Sequence, residues 1–174
     1  VKERTMARIG SSGQRWLKSA HLVCAGLWVG GGVTLAAKQF FINPVDGREL
    51  YGTLATMNFV DLFIIIPGAT GCLVTGIIYS TFTHWGWFRH RWIIVKWIIC
   101  LYGVVFGTYP LGPWLGELVQ IAGNAGMAAL QDPVFLHNRS MSMIFGTFQA
   151  ATIVFAFFIS ALKPWRPRHG PTVA

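Results

Sequence analysis

Two ionisable side chains lie where an apolar chain least tolerates them: His21, within SAHLVCAGLWVGG, and Lys96, within WIIVKWIICLYG. Titratable groups at membrane depth are costly and mark functional positions by default. An imidazole between helices is a ligand for haem b iron. A lysine at similar depth suits the haem propionates, because a cation hydrogen-bonds a carboxylate strongly. Each residue also has a plainer reading. His21 can hydrogen-bond a neighbouring backbone carbonyl, and Lys96 can lay its stem on apolar surface and lift its ammonium to the interface. His84 and His90 lie in the turn THWGWFRHR, where either is a second candidate axial ligand or simply an interfacial polar residue. His pairs at both membrane faces, as a dihaem cytochrome needs, are not in this inventory.

A second constellation is HNRSMSM, with His137, Met141 and Met143. Imidazole and thioether together suit Cu(I), although three ligands make a thin site. Asp61, beside Asn58, reads as a helix-start cap, with a proton-accessible carboxylate as the other reading. Cys24, Cys72 and Cys100 sit in apolar stretches with no CxxC or CxxCH. Structural zinc and covalent c-type haem are therefore unsupported, and the three read as small buried residues. No Ser-His-Asp arrangement, Gly-rich phosphate loop or paired-carboxylate motif occurs, which disfavours a soluble-type hydrolase or nucleotide enzyme. No residue is assigned a catalytic role, and whether the chain is an enzyme stays open.

The elements that must position these residues follow from composition. Of 174 residues 53% are hydrophobic and only 11% charged, against roughly 25% charged in soluble domains. So few charges cannot cover a water-facing surface, so lipid is the expected solvent. The net charge of +8 gathers at helix ends with no basic stripe spaced by aromatics, which argues against nucleic acid.

A span needs about 20 mostly apolar residues, and four segments qualify: about Ser19–Ala37, Phe59–Phe82, Trp92–Tyr109 and Met143–Leu162. The expected fold is all-α, one membrane domain over residues 1–174, a four-transmembrane-helix bundle with little mass outside the bilayer. Lys and Arg concentrate in the N-terminal tail, the turn after the second span and the C-terminal tail, so the positive-inside bias puts both termini in the cytoplasm. A bacterial cytoplasmic membrane is the expected location. His21 and Lys96 then enter from the same side and share a depth layer. Pro110 and Pro113 are expected to end the third span. Leu115–Gln131 is expected to form a short amphipathic helix at the outer surface, closed by Pro133. Gly26 and Gly30, and Gly103 and Gly107, form GxxxG pairs expected to bring helices close. Pro67-Gly68 is expected to kink the second span.

Lys18-x-x-His21 followed by Trp28 and Gly30-Gly31 resembles the first helix of CopD-type copper-resistance membrane proteins and of HemJ-type protoporphyrinogen oxidases. Trp92-x-x-x-Lys96 is similar to the HemJ third helix. PGATGCLVTG, HWGWF, RWIIVKW and LGPW resemble an uncharacterised family of integral membrane proteins related to CopD, over most of the chain. The resemblance implies a four-helix haem-binding or metal-handling bundle, with His21 as haem ligand and Lys96 as a second functional residue. Two departures count against transferring an activity. HemJ-like proteins carry Tyr-His where this chain has Tyr102-Gly103, and CopD-like proteins have a larger bundle with more metal ligands. Three functions are thus in view: a haem b redox subunit exchanging electrons with quinone or a partner complex, a cofactor-free accessory subunit of a larger membrane assembly or homo-oligomer, and CopD-like copper handling.

Overall fold

A computed structural model describes residues 9–82 and 91–162, and every regular element among them is helical. Helix α1 spans Ser11–Phe41. Helix α2, Gly47–Val60, runs through a π-turn at Asp61–Ile65 into α3, Ile66–Phe82. Helix α4, Arg91–Phe106, runs through a second π-turn at Gly107–Leu111 into α5, Gly112–Ala125. A 3₁₀ turn, Gly126–Gln131, leads to α6, Pro133–Leu162. Four continuous helices are long and apolar enough to cross a membrane: Ser11–Phe41, Gly47–Phe82, Arg91–Gln131 and Pro133–Leu162.

All four exceed the expected lengths, and at the third helix a proline explains the difference; at Pro67 the helix likewise runs on through the expected kink. In a regular helix proline clashes with the carbonyl four residues back and lacks the N–H that would bond it. One extra residue in the preceding turn relieves that clash, as in a π-bulge. Ile66 N–H accordingly donates to Asp61 O just before Pro67, and Gly112 N–H to Gly107 O around Pro110. Pro110 therefore does not end the third helix, and Leu115–Gln131 continues it. Pro133 opens α6 rather than closing the segment before it; Asp132 Oδ1 accepts from Val134 N at 2.8 Å and Phe135 N at 3.0 Å. Asp61 and Asn58 likewise do not cap a helix start. That start lies at Asp46, whose Oδ1 accepts from Glu49 N at 2.8 Å while Glu49 Oε2 accepts from Val45 N at 2.8 Å.

At 1.5 Å per residue Gly47–Phe82 and the helical path from Arg91 to Ala125 are about 54 and about 52 Å long, well beyond a hydrocarbon core of about 30 Å. The surplus builds a second packed region instead of a bare loop. Leu50, Leu54 and Met57 of α2 meet Leu115, Leu118 and Ala122 of α5, closed by Ala129 and Phe135. Asn138 Nδ2, on buried α6 surface, donates to Glu117 Oε2 of α5 at 2.5 Å. Gly126, at φ +56°, turns the chain out of α5. The α1 start, α3 end, α4 start and α6 end share the other end of the bundle, as the Ile9 N–Phe82 O bond and the Trp92–Ile93–Ile159 cluster show.

Helix α1 is the hub, packing mainly on α3 and α6, while α4 packs on α6 and only lightly on α3. The α1–α3 approach depends on Gly68, where a Cβ would lie 2.9 Å from Trp28 N and 3.0 Å from Cys24 O. The expected pair Gly26 and Gly30 faces open space, and Gly31 packs against Ile65 instead. Gly103 and Gly107 make room for side chains, the Trp28 indole and the Gln149 amide. Gly68→Ala is therefore expected to lower the thermal midpoint of the detergent-purified protein by several degrees, an overpacking cost of about 1–3 kcal/mol. Gly26→Ala, which fills open space and removes a helix penalty of roughly 1 kcal/mol, leaves the midpoint level or slightly raised. An unchanged midpoint in Gly68→Ala would contradict the close helix approach.

Candidate functional site: two cavities divided by Trp28

All four long helices contribute to a cavity of about 360 Å³ at the end of the bundle where α1 begins. His21 and Lys18 reach it from α1, Tyr79 from α3, and Trp92, Lys96 and Trp97 from α4. His21 and Lys96, remote in sequence, thus line one space. His21 lies about 15 Å from the start of α1 and Lys96 about 7 Å from the start of α4, α1 beginning at Ser11, before the predicted span.

The imidazole is held at one nitrogen. His21 Nδ1 lies 2.7 Å from Thr75 Oγ1, and Thr75 Oγ1 lies 2.6 Å from Gly71 O, one turn back in α3. Two oxygens approach so closely only with a hydrogen between them, so the single hydroxyl proton goes to Gly71. Thr75 Oγ1 is then an acceptor, His21 Nδ1–H donates to it, and the Nε2 lone pair is left available. This is how an outer-shell hydrogen bond selects the tautomer of a metal-binding histidine. The Tyr79 ring meets His21 edge-on, with centroids 6.4 Å apart, and Tyr79 Oη donates to Gln14 O at 3.0 Å. Lys96 Nζ sits 5.9 Å from the centre of the Trp92 ring, a cation–π distance. Lys96 itself is among the residues lining the cavity.

His84 and His90 fall outside the described residues. His21 is the one histidine lining this cavity among those described. Of the copper candidates, His137 and Met141 are four residues apart on α6 and share a face, but Met143 is two residues on and points elsewhere on the helix. His137 is exposed, while Met143 lines a different cavity, so the helix does not gather the three. Cys24, Cys72 and Cys100 are free thiols that pack around Trp28 with Ala69 and Ile153, as small apolar residues would.

That different cavity, about 270 Å³, occupies the opposite half of the bundle beneath the α2–α5 packing. Trp28 and Ile153 line both spaces. Trp28, 5% exposed, is the partition between them, its ring seated against Gly103. Asp61 lies at the second cavity, as do Lys38, Arg139, Gln39, Ser142 and Gln149.

Thr75 and Gln149 are absent from the residues that the sequence singles out, yet each carries a signal. Thr75 stands three residues after Cys72 and four before Tyr79, a polar stripe on one face of an apolar helix. Gln149 is an amide deep in an apolar span, and such groups find partners or functions. Comparison with protein-family models, curated proteins and solved structures yields no match, so the site's chemistry rests on its own geometry. Trp28→Ala is expected to merge the two cavities and cost about 3–5 kcal/mol, seen as a large fall in thermal midpoint. Trp28→Phe should fall between the two, and equal midpoints for all three proteins would show that Trp28 carries no partition.

Proposed function

We propose that this chain is a multi-pass subunit of a bacterial cytoplasmic membrane that binds haem b in the cavity at the α1-start end and passes electrons through it. The observation that carries this reading is the His21–Thr75 bond, which leaves an imidazole lone pair available at an aromatic-walled cavity. The residues present fit such a group. His21 Nε2 is the axial ligand, and Trp28, Trp92 and Trp97 supply apolar walls for a flat macrocycle. Lys96 and Lys18 are the cations for its propionates. Bound haem supplies one-electron chemistry whose potential follows ligand identity and second-shell hydrogen bonding.

The protein's own part is orientation. Thr75 fixes the ring plane of His21, and Gly71 O fixes the hydroxyl of Thr75. With both termini cytoplasmic by the charge bias, the cavity faces the cytoplasm and the α2–α5 region lies at the outer surface. A second reading, a cofactor-free accessory subunit, draws support from Gly26 and Gly30, which present a small-residue face to open space where another helix can pack.

The deciding measurement is a dithionite-reduced minus oxidised spectrum of the detergent-purified protein made with ample haem supply. Soret and α bands of b type are expected, and His21→Ala should abolish them. Thr75→Val should keep the fold but weaken haem retention by about 10–100-fold, the usual effect of losing an outer-shell partner. A flat parent spectrum would remove the haem reading and leave the accessory one.

A further inference from the structure

The second cavity is apolar over most of its wall, and three of the polar residues that line it each carry a buried atom with no hydrogen-bond partner among the described residues. Gln149 is 7% exposed and Ser142 likewise 7%. Gln149 Nε2 donates to Gly103 O at 3.1 Å, which fixes the amide orientation and leaves Oε1 as the other end. That Oε1 has no hydrogen-bond partner among the described residues, and neither has Ser142 Oγ or Gln39 Oε1. Leaving a buried polar atom unpaired costs about 1–3 kcal/mol, so three at one cavity point to something that pairs them.

The chemistry of the three atoms narrows the occupant. Two are amide carbonyl oxygens, which only accept, so the occupant must bring hydrogen-bond donors. Lys38 and Arg139 line the same cavity and repel a cation, which argues against a metal ion or an amine. The orphaned acceptors and Asp61 repel an anion. A neutral, flat, lipid-soluble molecule with hydroxyl donors satisfies all of these together. Gln149 and Ser142 are seven residues apart on α6, hence on one face and about 10 Å apart along the axis. That separation is comparable to a para-dihydroxy ring with a hydrogen bond of about 2.8 Å at each end.

We propose that the cavity beneath the α2–α5 packing binds the head group of a membrane hydroquinone, with Gln149 Oε1 and Ser142 Oγ taking its two hydroxyls. The site stands apart from the haem cavity behind Trp28 and does not depend on haem being bound there. Because the waiting atoms are mainly acceptors, the reduced ring is preferred to the oxidised one, whose carbonyls cannot donate.

The test is equilibrium binding of a radiolabelled short-chain benzoquinol, kept reduced under argon, to the full detergent-purified chain, with the matching benzoquinone measured in parallel. The quinol is expected to bind at least tenfold tighter than the quinone. Ser142→Ala should weaken quinol binding by about tenfold, the factor for one lost buried hydrogen bond, with Gln149→Leu weakening it further. Ser142→Ala is the smallest change, and a parental thermal midpoint certifies its fold. His21→Ala, free of haem, is expected to bind quinol as the parent does. Equal affinity for the two ring forms, no quinol binding at all, or undiminished binding in a folded Ser142→Ala would overturn the proposal. So would loss of quinol binding in a folded His21→Ala, which would place the quinol in the other cavity. A flat haem spectrum alone leaves it standing.

Discussion

The bundle depends on how closely α1 can lie against α3. In lipid there is no hydrophobic drive between helices, and association rests on tight van der Waals packing and buried polar contacts. Gly68 allows that packing by omitting a Cβ that would meet the α1 backbone at Cys24 and Trp28. One turn further along, Gly71 accepts the hydroxyl of Thr75, and Thr75 in turn accepts from His21. The same approach brings Trp28 into the bundle centre, where Gly103 of α4 leaves room for the ring. A backbone contact on two helices thereby sets a tautomer on one side and a partition on the other.

Much of the fold was legible in the sequence because lipid imposes a coarse constraint: four apolar runs must become four helices. Their ends were not legible, for two physical reasons. Proline is a good predictor of helix ends in isolation, but at Pro110 the turn widens into a π-bulge and the helix continues, as it does at the expected kink of Pro67. And a polar, glycine-bearing stretch such as LGELVQIAGNAG looks like surface until its partner is known. Leu115, Leu118 and Ala122 are buried because α2 supplies Leu50, Leu54 and Met57, a pairing that no local pattern encodes. The GxxxG signal failed similarly: spacing identifies a small-residue face, while the direction of that face is set by the whole bundle.

The site divided along the same line. His21 and Lys96 were visible because an ionisable group in an apolar run is conspicuous by itself. Thr75, Gln149 and Ser142 carry no charge and blend into a span, although each is placed by a helix repeat that can be counted. His137, Met141 and Met143 show the converse error. They are close in sequence and of suitable chemistry, but a helix turns 100° per residue and sends Met143 away from the other two.

What unifies the two cavities is the contrast in their linings. The one at the α1-start end presents two lysines and an imidazole, and the other presents amide and hydroxyl groups with charges of both signs. A single aromatic residue, Trp28, separates them, with Ile153 at its side. An apolar partition of that kind keeps water and polar ligands from passing between the spaces, whereas electrons tunnel through packed protein without an open path. Gly68 and Gly103, by fixing where Trp28 stands, decide whether that separation exists.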